Sequence, residues 1–329
     1  IEAGKVRPTP ETLSDLAQAL RVPEQYFYAL WSNPTATDEM PDIYFRDLRA
    51  TPARERRRAL ALALLLNDLL AAIGHYVQLP LLKLPDLSVA PDASRSELEV
   101  TADALRAEWG LGLEPIDHMV RLIERTGVPV ARLTTGHEKI DAFSVPLTRR
   151  PIILLTDDKA GNYVRSRSDA AHELGHLLMH RKRADRGRPV EQQAHAFAAS
   201  FLLPKKAAET ELPRRLDGQG WRKLAELKLR WGISMASLVR RMHDLHLLDS
   251  DGYRSAMTFM SVQGWRTQEP GDRELGPAES PLLLERALRT IEIEQNISRA
   301  DLIQSAFLPL DDTLSLVTSS SDRRPVIEL

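Results

Sequence analysis

Two histidines four residues apart offer the clearest chemistry in this sequence. They lie in the segment Ala171-His172-Glu173-Leu174-Gly175-His176. Four residues turn an α-helix by about 400°, so His172 and His176 project from one face and can share a metal ion. Glu173 lies on the adjacent flank, where it can reach a water on that ion without being a ligand. The pattern is short, and the surrounding sequence must supply the rest of the site.

A catalytic zinc ion takes three protein ligands and keeps a fourth position open, so a third ligand is required downstream. A metzincin-type site would need a histidine at position 182, which is Lys182. His180 lies eight residues beyond His172, about 12 Å along the helix axis, which is too far for both to bind one ion. We therefore expect His180 to lie next to the ligands without binding the ion, or to lie at the surface.

Glu191 begins the next predicted helix, where it shares a stripe with Ala194, His195 and Ala198. Small residues on such a stripe let two helices pack at short range. We predict Glu191 as the third ligand, with His195 as the alternative. If His195 is not a ligand, it could donate a hydrogen bond to a tetrahedral oxyanion or form part of the pocket wall.

Composition limits the other classes of function. The chain of 329 residues has 44 basic and 46 acidic side chains, so any surface for nucleic acid must be local. The absence of cysteine excludes disulfide scaffolds, iron–sulfur clusters and cysteine nucleophiles, and leaves histidine and carboxylate as metal ligands. The longest apolar run, 59–72, contains Asn67 and Asp68 and is too short to span a membrane, so we expect a cytoplasmic protein.

The hydrophobic pattern predicts a helix-dominated α+β fold with a small antiparallel sheet. Three segments of β character, at 128–133, 140–147 and 151–156, predict an antiparallel meander. Residues 251–281 are punctuated by glycine and proline and predict a loop-rich segment. Helices are predicted at 9–20, 24–31, 55–73, 96–109, 115–126, 168–180, 191–203, 221–231, 234–247 and 282–294.

The helices at 221–231 and 234–247, joined at Gly232, have the spacing of a helix-turn-helix and carry the basic residues Arg230, Arg240 and Arg241. Packing against the rest of the molecule is the simpler interpretation, because the apolar residues of the two helices suffice for a core. Those residues are Leu224, Leu227, Met235, Leu238 and Val239.

The run from Arg167 to His180, followed by the run from Glu191 to Pro204, resembles the ImmA/IrrE family of zinc metallopeptidases. The similarity extends over roughly residues 100–265. It implies a gluzincin-like peptidase core that binds Zn²⁺, with His172, His176 and Glu191 as ligands and Glu173 as catalytic base. Family members usually have asparagine where this chain has His195.

The opening stretch, Ile1 to Leu13, resembles the Xre family of helix-turn-helix regulators from the end of the recognition helix onward. The resemblance implies that a longer protein binds DNA through this module, as a homodimer, with Lys5 and Arg7 near phosphates. The domains predicted are 1–32 for the end of the Xre-type module, 33–95 for a linker and connecting helix, 96–270 for the peptidase domain, and 271–329 for a C-terminal segment.

Two functions follow from these features. The first is a zinc-dependent metalloendopeptidase coupled to transcriptional regulation, which cleaves a protein substrate such as a repressor, bound as an extra strand near 141–145 or 152–155. The alternative is a DNA-binding regulator whose peptidase-like domain is a non-catalytic sensor. A third interpretation, in which His172 and His176 are ordinary helix residues, leaves Glu173 and the helix of Glu191 without a role.

Overall fold

The computed structural model describes residues 7–28, 44–45, 53–133, 142–147, 150–156, 162–181 and 187–317. Helices dominate this part of the chain and surround one small sheet, which confirms the helix-dominated α+β class. None of the helices within these ranges is both long and apolar enough to cross a membrane. The elements are α1 (Pro10–Leu20), β1 (Tyr44–Phe45), α2 (Ala53–Ile73), α3 (Arg95–Glu108), α4 (Met119–Arg125), β2 (Val130–Leu133), β3 (Ala142–Val145), β4 (Ile152–Thr156), α5 (Tyr163–Met179), α6 (Arg188–Leu202), α7 (Lys205–Glu211), α8 (Gly218–Trp231), α9 (Met235–Asp244), α10 (Ser250–Val262), α11 (Asp272–Leu275), α12 (Leu283–Gln295), α13 (Arg299–Ser305) and α14 (Leu310–Val317).

The sheet is mixed, so the predicted antiparallel meander is wrong. Its order is β1-β3-β4-β2, with β3 and β4 antiparallel and β2 parallel to β4. After β2 the chain therefore crosses to β3, which is not a neighbour of β2, and then returns to form β4 between these two strands. All residues of β2, β3 and β4 are buried, and strands buried on both faces lack the polar alternation that would indicate their neighbours.

The sheet separates two hydrophobic clusters. Successive residues of β4 enter different clusters, as strand alternation requires: Ile153 packs with α3 to α6 and α8 to α10, and Leu154 packs with α2 and α12 to α14. Helices from the predicted segments 33–95 and 271–329 therefore share a core with the sheet of the predicted peptidase domain. The predicted boundaries themselves stay predictions.

Two element predictions are wrong in detail. Helix α10 crosses the segment predicted as loop-rich, because Gly252 lies in its first turn, where the Asp249 side chain accepts the Gly252 N–H. Helix α4 begins at Met119 and not at Pro115, because His118 Nδ1 caps it by accepting the Arg121 N–H.

The N-terminal helix is confirmed. Thr9 caps α1 through its side chain, and Pro10 stands at its start. The second predicted helix, 24–31, is a short 3₁₀ turn over Glu24–Phe27. Residues 29–31 of that prediction lie outside the described residues, and so do Lys5 and the start of the predicted linker at 33.

The two helices with helix-turn-helix spacing pack into the core. Gly232 ends α8 in the left-handed conformation, and the five predicted core residues are all buried. Arg241 is buried as well, where its guanidinium pairs with the Glu99 carboxylate. The packing interpretation is therefore the one that the structure supports.

Glu124 joins α4 to the beginning of α12. Its carboxylate accepts the backbone N–H groups of Leu282 and Leu283, each at 2.9 Å. Burial raises the pKa of Glu124 to about 7, although both hydrogen bonds favour the ionised form. The folded protein therefore holds this proton more tightly than the unfolded chain does.

This difference predicts a pH dependence of stability. The pKa of Glu124 is near 4.5 in the unfolded chain, so the unfolded chain releases this proton first as the pH rises, and stability falls until the pH passes the folded-state pKa of about 7. Between pH 5 and pH 8 we expect the free energy of unfolding of the wild type to fall by roughly 2 kcal/mol relative to Glu124→Gln. Urea unfolding of both proteins at the two pH values measures the change, and a constant difference between them would contradict the prediction.

Candidate metal centre

Helices α5 and α6 bring the candidate residues together by packing closely. Asn162 caps the start of α5 by accepting the Arg165 N–H, and α5 then runs almost wholly buried beneath α6. Gly175 permits the close approach: a Cβ at this position would lie 2.9 Å from Phe197 Cδ1 of α6. A larger residue there would push α6 away from the histidines.

Three potential ligand atoms converge between these helices. His172 Nε2 lies 3.0 Å from His176 Nε2 and 3.2 Å from Glu191 Oε2, and His176 Nε2 lies 3.3 Å from Glu191 Oε1. In a tetrahedral zinc site with bonds of 2.0–2.1 Å, neighbouring ligand atoms are about 3.3 Å apart. The three side chains are thus close enough to be ligands of one ion, and among the described residues they form the group that could hold one.

The charge states suit metal binding. Burial lowers the pKa of His172 to about 3, so its imidazole is neutral at pH 7. Burial alone would raise the pKa of Glu191, but its contacts with His172 and His176 outweigh this and lower the pKa to about 2. A neutral imidazole and an ionised carboxylate are the forms that coordinate a metal.

One oxygen of the Glu191 carboxylate, Oε2, has no hydrogen-bond donor among the described residues, although the contacts with both histidines favour the ionised form. Oε2 is buried and has no hydrogen-bond partner there, because its 3.2 Å contact with His172 Nε2 does not have hydrogen-bond geometry. Since His172 is neutral at pH 7, the contact is not a pair of opposite charges either. A buried ionised oxygen in this position is stabilised by a cation, so the residues present fit a metal.

A hydrogen-bond chain fixes the tautomer of His176. Gln193 Nε2 donates to the carbonyl of Ala90 at 2.9 Å, so Gln193 Oε1 accepts from His180 Nε2 at 3.0 Å. His180 Nδ1 then accepts from His176 Nδ1 at 3.1 Å. With this proton on Nδ1, the His176 ring directs Nε2 at the other two side chains, the nitrogen that metal coordination requires.

Glu173 lies beside the three converging side chains but is not one of them. It is 1% exposed, and its Oε2 accepts a hydrogen bond from Ser144 Oγ of β3 at 2.7 Å. The sheet thus positions this carboxylate next to His172 while α5 carries it.

His195 lies on the open side of the site. Its ring centroid is 4.2 Å from that of His172, and its side chain is exposed. His172 and His195 both line a cavity of about 400 Å³, whose wall also includes Leu202, Met260 and Trp265. The position suits contact with a bound molecule.

The structure brings together the three residues predicted as ligands, and it adds supporting residues that sequence reasoning missed. Of the two positions predicted for His180, beside the ligands or at the surface, the structure has the first: His180 is fully buried against His176. The four-residue spacing of these two histidines is a signal that could have predicted their contact. Nothing in the sequence indicated Gln193 or Ser144, which reach the site from other elements.

A helix-rich α+β fold that holds two imidazoles and a carboxylate at distances suited to one ion makes this chain a candidate metalloprotein. Residues 123–243 match the family model described as the IrrE N-terminal-like domain, Peptidase_M78. A comparison with curated proteins found no match. The matched range contains all the side chains of the candidate centre and supports the peptidase part of the resemblance. The Xre part stays a prediction.

Proposed function

We propose that this chain is a zinc-dependent metalloendopeptidase in which His172, His176 and Glu191 hold the ion. The distances between the nearest nitrogen and oxygen atoms of these three side chains, 3.0 to 3.3 Å, carry the proposal. Two imidazoles and one carboxylate are a common ligand set of catalytic zinc. When bound, zinc acts as a Lewis acid that polarises a peptide carbonyl and makes water more acidic.

Glu173 is the general base in this proposal. The Ser144 hydroxyl donates to Oε2, so we assign the transferred proton to Oε1. Glu173 takes this proton from the attacking water and delivers it to the leaving amine. Its neighbour His172 is a proposed ligand, which brings the carboxylate close to the reacting atoms.

His195 contacts the substrate in this proposal. Its exposed ring beside His172 can donate a hydrogen bond to the scissile carbonyl oxygen as negative charge develops there. The cavity beside it can receive a neighbouring substrate side chain.

The substrate that we propose is a protein, such as a repressor. Cleavage would be coupled to transcription through DNA binding by the N-terminal module of a homodimer in the cytoplasm. This part of the proposal is supported by the resemblance of the opening stretch to Xre regulators.

Incubation of the purified chain with the regulators that are encoded next to its gene tests the proposal. We expect one equivalent of zinc per chain and cleavage of one regulator that stops with chelator and returns with added zinc. One equivalent of tightly held zinc without any cleavage would favour the non-catalytic sensor. Cleavage that persists in chelator would overturn the metallopeptidase.

A further inference from the structure

The outer edge of β3 is paired with a segment of the same chain. Tyr44 and Phe45 form β1, which runs antiparallel to β3, with Tyr44 opposite Ser144 and Phe45 opposite Phe143. Strand β4 lies on the other side of β3. Both sides of β3 are therefore paired within the chain, although the sequence predicts that a substrate binds near this strand.

This edge lies next to the proposed base. Ser144, opposite Tyr44, donates to Glu173 Oε2 at 2.7 Å. Neighbouring strands are about 4.8 Å apart, so a polypeptide paired with β3 passes one strand spacing from the residue that holds Glu173. The opposite edge of the sheet, formed by β2, is two strands further from this contact.

We propose that the outer edge of β3 is the binding edge for an extended polypeptide, and that the chain's own Tyr44–Phe45 segment occupies it as an intramolecular competitor. The proposal rests on the function proposed above, because it places the competitor where a substrate would lie. An edge strand recognises extended peptides through main-chain hydrogen bonds, which require little of the peptide's sequence. A segment of the same chain can therefore fill the position.

The place of this segment in the chain gives the competition a regulatory consequence. Residues 44–45 stand between α1 and α2, and α2 packs on the face of the sheet opposite α5. Seven residues separate β1 from α2, a span of at most about 28 Å, so the competitor is held at high local concentration. Its two residues are fewer than the five or six of a typical strand, so a longer polypeptide can displace it.

Peptide binding by the full chain tests this proposal. The probe is a fluorescein-labelled peptide with the sequence of residues 40–49, measured by fluorescence anisotropy. In Tyr44→Pro/Phe45→Pro, proline removes both backbone N–H groups and weakens β1. If the wild-type edge is filled nine-tenths of the time, we expect this variant to bind the peptide about tenfold more tightly than the wild type.

Tyr44→Val/Phe45→Val is the matched control, because valine keeps both N–H groups and favours strands. We expect it to bind the peptide as weakly as the wild type. Hydrogen exchange should show faster exchange of residues 142–145 in the proline variant and renewed protection when the peptide is added. Equal affinities for wild type and proline variant, no binding to either, or unchanged exchange would each overturn the proposal. All measurements are repeated on metal-free protein, so failure of the peptidase function leaves this test intact.

Discussion

Glu173→Gln should lose proteolytic activity by about 10² to 10⁴-fold and still bind one equivalent of zinc. Glutamine has nearly the shape of glutamate and keeps an oxygen that can accept the Ser144 hydroxyl, but it cannot take a proton from water. The three converging ligand atoms belong to other residues, so the metal should stay. Metal analysis checks the zinc content, and cleavage of the regulator that the wild type cleaves checks the activity. Both are measured on the same preparation.

Glu108→Gln is the control for this substitution, because Glu108 is exposed near the end of α3 and the same chemical change there should leave both readouts unchanged. Full activity of Glu173→Gln would show that another group is the base. Loss of the metal from Glu173→Gln would instead make Glu173 a ligand, against the arrangement of the three side chains around it.

The predictable part of the site is the part that one helix determines. His172, Glu173 and His176 keep their relative positions on any α-helix, so their types and spacing alone place two imidazoles side by side. Glu191 is on another helix, and its placement also depended on small residues between the helices. Gly175 supplies part of that close approach, with a Cβ position 2.9 Å from Phe197 Cδ1.

The supports of the site depend on contacts between distant parts of the chain. Ser144 is 29 residues from Glu173, and Gln193 reaches back to Ala90 across 103 residues. Single serine and glutamine residues occur throughout a sequence, and neither type nor spacing marks these two. The same limit applies to the strand order, which is determined by the helices that cover both faces of the sheet.

The boundaries that were wrong have local causes. Glycine and proline predict a loop over 251–281, but Gly252 lies in the first turn of α10, where the cap of Asp249 compensates for its low helix propensity. Pro115 predicts the start of α4, but His118 acts as the cap. The first error misses a helix, and the second misplaces a helix start because a side chain outside the common cap residues forms the cap.

Glu191→Ala should weaken zinc binding by more than about 100-fold, because changes that merely disturb the supports of a ligand already cost about 10- to 100-fold. The wild type, at a free zinc concentration 100 times its dissociation constant, gains about 2.7 kcal/mol of stability. The variant, with 100-fold weaker binding, should gain about 0.4 kcal/mol at the same concentration. Urea unfolding with and without zinc measures both gains, and competition with a chromophoric chelator gives the affinities.

Gln192→Ala is the matched control for this prediction, since Gln192 is the exposed neighbour of Glu191 on α6 and should leave zinc stabilisation intact. A variant that keeps the full zinc-dependent gain would show that another group is the third ligand, with His195 beside His172 the first to substitute next.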